Sequence, residues 1–68
     1  MKIKKGTICF LADENKELTN QQISMDKDRD LNIGDIFKWN EDLGNLNPIP
    51  FVVVGFVDHF PLVVECVL

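Results

Sequence analysis

Tyrosine is absent, histidine and tryptophan occur once each, and no lysine or arginine follows Lys38. A lone imidazole leaves little room for acid–base chemistry. Cys9, His59 and Cys66 have neither the C-x-x-C nor the H-x-x-x-H spacing of a zinc site. No G-x-G-x-x-G, P-loop, G-x-S-x-G or H-E-x-x-H occurs either. A nucleophile built from Cys66 and His59 fails on distance. The histidine falls at an expected turn, and the thiol lies well down the following strand at ~3.4 Å per residue. Asp26-Lys27-Asp28-Arg29-Asp30 has the opening spacing of a calcium loop, but Leu31 and Phe37 occupy the positions that need glycine and glutamate. It reads as a solvated, charge-alternating loop. No catalytic residue, metal or cofactor is expected, and the chain is read as a non-enzyme.

The missing cations bear on partners. Residues 1–38 balance their charges, whereas residues 39–68 carry Glu41, Asp42, Asp58 and Glu65 alone, and the net charge is −4. A nucleic-acid binder gathers its cations on one face. Here only Lys2, Lys4 and Lys5 cluster, so nucleic acid is disfavoured as a partner. No apolar run reaches the ~18 residues of a membrane span, because Gly55, Asp58, His59 and Pro61 interrupt the longest. The apolar run after the basic start, Ile8 to Ala12, is shorter than a secretory leader requires. A cytoplasmic setting with two unpaired, buried thiols is therefore expected. Sixty-eight residues are read as one domain, 1–68. At this size only about 60% of the unfolded chain's surface is buried on folding, so oligomerisation is a natural supplement.

What is abundant is β-branched and aliphatic sequence near the end of the chain. Phe51–Val57 and Leu62–Leu68 flank Asp58-His59-Phe60-Pro61 and read as two strands and a turn. Pairing Val57 with Leu62 places Phe51, Val53, Gly55, Val57, Leu62, Val64, Cys66 and Leu68 on one face. Val52, Val54, Phe56, Val63, Glu65 and Val67 fall on the other. A solvated hairpin alternates apolar and polar residues; this one does not, so both faces need cover.

Upstream, Ile3–Leu11 reads as a strand weakened at Gly6, and Asp13–Lys16 as a turn. Glu17–Ser24 returns as a polar edge strand with Leu18 opposite Leu11; a short helix over Thr19–Met25 is the competing reading. Ile36–Asn40 forms a third strand with Phe37 and Trp39 on one face. A long loop, Asn40–Pro50, precedes the hairpin. The expected fold is mostly β: a small five-stranded bent sheet or SH3-like open barrel ending in a hydrophobic β-hairpin. Leu31-x-x-Gly34-Asp35-x-Phe37 resembles the turn leading into a central strand of many SH3-like barrels. The resemblance implies architecture only and brings no functional residue with it.

The function expected from these features is a protein-interaction module. It would self-associate as a homo-oligomer through Val52, Val54, Phe56, Val63 and Val67, the second hairpin face. It would present acidic loops to a protein partner, with Trp39, Glu41, Asp42, Asp58 and Phe60 as contacts. Two alternatives stand beside it. One is a small phage or mobile-element inhibitor covering a nucleic-acid-binding surface of a host enzyme. The other is direct nucleic-acid binding by a small barrel, using Lys2, Lys4, Lys5 and exposed aromatics such as Trp39.

Overall fold

The computed structural model describes residues 1–40 and 48–66. Its strands are β1 (Lys2–Ile3), β2 (Ile8–Ala12), β3 (Leu18–Ser24), β4 (Arg29–Asp30), β5 (Ile36–Trp39), β6 (Ile49–Val57) and β7 (Phe60–Glu65), with no helix among the described residues. Five of them form a sheet in the order β3-β2-β7-β6-β5, and β1 pairs with β4 in a second, two-stranded sheet. The β2–β7 pair is parallel and the others are antiparallel. The mostly-β, five-stranded expectation holds as a bent sheet with two free edges. It bends far enough for the Trp39 indole Nε1, on one edge strand, to donate to the Ser24 carbonyl on the other at 2.9 Å.

Glycine decides where the first expected strand ends. Thr7 N–H donates to the Lys4 carbonyl at 3.0 Å with Gly6 at φ 90°, the left-handed third position of a type II turn. Ile3–Leu11 is therefore not one strand but two, assigned to different sheets. Gly34 does the same work before β5. Asp35 N–H donates to Asn32 at 3.0 Å, Gly34 has φ 96°, and its own N–H reaches the Val53 carbonyl at 2.8 Å. At the next turn the Asp13 carboxylate accepts the N–H groups of Asn15 (2.8 Å) and Glu17 (3.0 Å), leaving Lys16 as the left-handed residue.

Leu18–Ser24 is an edge strand and not a helix. Its register differs from the expected one by one residue at Leu18, which stands opposite Ala12, and by three beyond an irregularity between Phe10 and Ala12. The Thr19 hydroxyl steadies that irregularity by donating to the Leu11 carbonyl at 2.8 Å.

The final hairpin corrects the expected pairing. Only Asp58 and His59 form its turn, with φ of 49° and 71°, and Val57 stands opposite Phe60. Both left-handed positions are those of a type I′ turn, which suits the right-handed twist of the strands. Asp and His tolerate this region better than most side chains, so Phe60 and Pro61 are released into β7. A bulge at Val54 then sets Val53 opposite Val63 and Gly55 opposite Leu62. The proline in β7 is tolerated because Phe56–Pro61 is a non-hydrogen-bonded pair. Its missing donor would point towards β2, whose pairing starts only at Leu62.

Opposite residues of an antiparallel pair share a face. Phe51, Val53, Phe56, Pro61 and Val63 therefore point one way, and Val52, Gly55, Val57, Phe60, Leu62 and Val64 the other. The first set faces the core, which gathers Ile3, Cys9, Met25, Leu31, Phe37, Phe51, Val53 and Val63. The Phe51 ring meets those of Phe37 and Trp39 at centroid distances of 5.8 and 6.4 Å. The two-stranded sheet covers this side through Ile3. Phe37 and Trp39 share the inner face as expected, and Ile36 and Lys38 point out.

The turn offers one prediction. His59→Gly removes a left-handed L side chain costing ~1 kcal/mol, and for a domain of this size the melting temperature should rise by ~4–8 °C. An unchanged or lower value in a thermal melt would mean that the imidazole makes a contact the hairpin needs.

Candidate functional site

The outward face of the main sheet is the largest feature the core does not use. Ile8 and Phe10 (β2), Leu62 and Val64 (β7), and Val52 and Val57 (β6) are each half-buried, yet none packs against the core. Neighbouring strands shield their flanks while their tips stay open. The face continues to Ile36 on β5, 66% exposed, and to Phe60, 39% exposed. Phe10 and Phe60 meet edge to face at 5.9 Å and 88°, forming a rigid aromatic pair on this surface. Val54, at the bulge, and Cys66, at the end of β7, are half-buried beside it. The two-stranded sheet lies on the other side, and among the described residues no further strand remains to cover this face.

The residues expected to carry self-association are divided by the two-residue turn. Val52 and Val54 stay outside the core. Val63 is 0% exposed and Phe56 packs on the core, so neither is presented to a second molecule. Val67 lies outside the described residues. Phe10, Val57, Leu62 and Val64 take their place. Sequence reading missed them because it required a four-residue turn. The signal available was the Asp-His pair, a weaker form of the Asn-Gly that marks a type I′ turn.

The expected partner contacts are not brought together. Trp39 pairs with Ile49 at one end of β6, and Asp58 follows Val57 at the other. That separation is roughly 25 Å at the rise of a strand. The Trp39 ring is half-buried on Phe51 with its N–H bonded, whereas Asp58 and Phe60 sit exposed at the hairpin tip. Glu41 and Asp42, with most of the long loop, lie outside the described residues.

The charged loop is solvated only in part: Asp28 and Asp30 are exposed as expected, while two other members turn inward. Asp26 and Arg29 form an ion pair whose side chains are only 9% and 12% exposed. Arg29 Nη2 lies 3.2 Å from both Asp26 oxygens and 2.9 Å from the Lys38 carbonyl, and its guanidinium sits 5.1 Å from the Phe37 ring centre. Asp26 Oδ2 also accepts the Asn40 N–H at 2.9 Å. The pair thus occupies the free backbone edge of β5.

Chemistry elsewhere is sparse. Both cysteines are free thiols. Burial, helped by the negative charge of Asp26, pushes the Cys9 thiol up to about 11, so it stays protonated at neutral pH. Among the described residues no group of three His, Cys, Asp or Glu side chains could hold a metal ion, and no helix is long and apolar enough to cross a membrane. Two shallow depressions flank β4. One is lined by Lys2, Ile3, Lys4, Asp28, Arg29 and Asp30, and the other runs from Lys27 along Arg29 to Ile36 and Lys38. Each mixes both signs of charge, and neither gathers a nucleophile with a base. Comparison with protein-family models, with curated proteins and with solved structures returns no match.

Proposed function

We propose that this protein is a non-enzymatic interaction module that self-associates by stacking the outer face of its sheet on the same face of a second copy. The observation that carries this reading is the unbroken apolar surface from Ile8 and Phe10 through Leu62, Val64 and Val52 to Ile36. Contiguous apolar surface on that scale marks an interface in a soluble domain. The whole molecule measures 30 × 25 × 21 Å, so the ~800 Å² per partner of a standard interface is the upper limit of what one of its faces can bury.

Charge selects the occupant. Lys38 is the one cation on the strands forming this face. An anionic membrane or a nucleic acid would find no electrostatic footing there, whereas a second copy brings matching apolar rows. Isologous stacking would cover the Phe10–Phe60 pair, the kind of aromatic anchor that dominates interface energetics. Asp58, exposed beside Phe60, then lies on the rim, where an acidic group can steer a further basic partner.

The test is solution mass by light scattering over a dilution series. Val64→Lys places a charge on the outer face of a central strand and should halve the mass while the fold is kept. A wild-type protein that is monomeric at every concentration would overturn the reading, as would a variant of undiminished mass.

A further inference from the structure

The two edges of the main sheet are treated differently. On β5 the Lys38 carbonyl is taken by Arg29 and the Asn40 N–H by Asp26, so the ion pair stands where another strand would bind. On β3 the Trp39 indole takes the Ser24 carbonyl at one end, and the irregularity lies between Leu18 and Gln22, but no ion pair guards the strand. Its seven residues, Leu-Thr-Asn-Gln-Gln-Ile-Ser, include no charge and no proline. Those are two of the means by which soluble proteins blunt an exposed edge, and both are missing from an edge strand of a chain that is 26% charged.

The direction of its free groups follows from the register. Met25 N–H donates to the Thr7 carbonyl, which makes Thr7–Met25 a hydrogen-bonded pair. Alternation then makes Cys9–Ile23 hydrogen-bonded, and Ile8–Ser24 and Phe10–Gln22 not. The backbone groups of Gln22 and Ser24 therefore point away from β2. The Ser24 carbonyl meets the Trp39 indole, while Gln22 directs both its N–H and its carbonyl outwards from an exposed position.

We propose that β3 is a second self-association surface, pairing antiparallel with β3 of another copy across a two-fold axis near Gln22. A two-fold axis sets this strand against itself. With the axis at Gln22, Gln22 faces Gln22, Gln21 faces Ile23 and Asn20 faces Ser24, so each of these opposed pairs is neutral, although the chain as a whole carries −4. A partner strand bearing charge would gain no compensating contact from β3. Gln22 is exposed, and its side-chain amide both donates and accepts, so the two copies of Gln22 can bond to each other across the axis. Pairing would join two sheets into one of ten strands. The outer face would run on across the seam, and edge pairing and face stacking would be separate contacts of one assembly.

The experiment compares Gln22→Pro and Val64→Lys, alone and combined, by light scattering at matched concentrations, with circular dichroism as a fold control. Gln22→Pro removes the outward donor without touching a bond to β2, and Gln22→Lys opposes like charges at the same place. Each edge variant should halve the wild-type mass. Val64→Lys alone should remain a two-chain species, and the double variant should be a folded single chain. Gln22→Cys in a Cys66→Ser background should also give a disulfide-linked dimer on mild oxidation, which the buried, protonated Cys9 will not. Undiminished mass in both Gln22 variants, with no cross-link, overturns the edge contact. Undiminished mass in Val64→Lys overturns only the face contact, so the two failures are read separately.

Discussion

Asp26→Ala is expected to lower the stability of this protein by about 1.5–3 kcal/mol, the usual cost of removing hydrogen bonds made by a charged, largely shielded group. The carboxylate holds the Arg29 guanidinium through two contacts of 3.2 Å and accepts the Asn40 N–H at 2.9 Å. Both side chains are close to 90% shielded from solvent, with exposures of 9% and 12%. Arg29 would keep the Lys38 carbonyl and the Phe37 ring, but its Nε already lacks a partner and the guanidinium would lose its only carboxylate contact among those described. Natural domains hold roughly 0.05–0.15 kcal/mol per residue, so for a chain of 68 residues the loss is a large share of the whole stability. Urea unfolding should show a collapse of the midpoint. Asp26→Asn, which keeps an acceptor for Asn40, should fall between. Replacing both members by apolar side chains should recover much of the loss. A cost under ~1 kcal/mol for Asp26→Ala would return the segment to an exposed charged loop, since surface pairs contribute no more than that.

Adjacent valines in β7 supply the second large effect. Val63→Lys should abolish folding, whereas Val64→Lys should leave a folded chain with a reduced assembly mass. Val63 is 0% exposed and opposes Val53 in the core, while Val64 opposes Val52 on the outer face. An unpaired ammonium at Val63 has no acceptor within reach, and a loss above ~4 kcal/mol follows. The contrast depends on the two-residue turn at Asp58–His59. Had the turn consumed Phe60 and Pro61 as well, Val64 would have been the core residue, and the two outcomes would exchange. Circular dichroism of the pair decides between the registers.

Much of this architecture is legible in the sequence, and the failures have local causes. Period-two alternation places Phe37 and Trp39 inward and Ile36 and Lys38 outward. The polar composition of Leu18–Ser24 marks an edge. What composition could not decide was register, because a slip of one residue inverts every side chain. The bulge at Val54 and the left-handed Asp58-His59 turn each shift the pairing; Gly55 borders the first, whereas the second carries no glycine, the usual marker of such a turn. Gly6 was legible as an interruption, but not that it sends β1 to a different sheet. Met25, 1% exposed, was hidden in a charged segment whose ion pair folds inward beside it. Polar residues whose partners are distant in sequence look like loop until the fold brings the partners close.

The measurement that tests the central claim most directly is an isotope-filtered NOE experiment on a mixture of labelled and unlabelled protein. Stacking of the outer faces predicts intermolecular contacts from the methyl groups of Leu62, Val64 and Val52 and from the Phe10 and Phe60 rings, and none from Val53 or Val63. A spectrum with no intermolecular contacts at Leu62 and Val64, from a sample whose mass exceeds one chain, would contradict it.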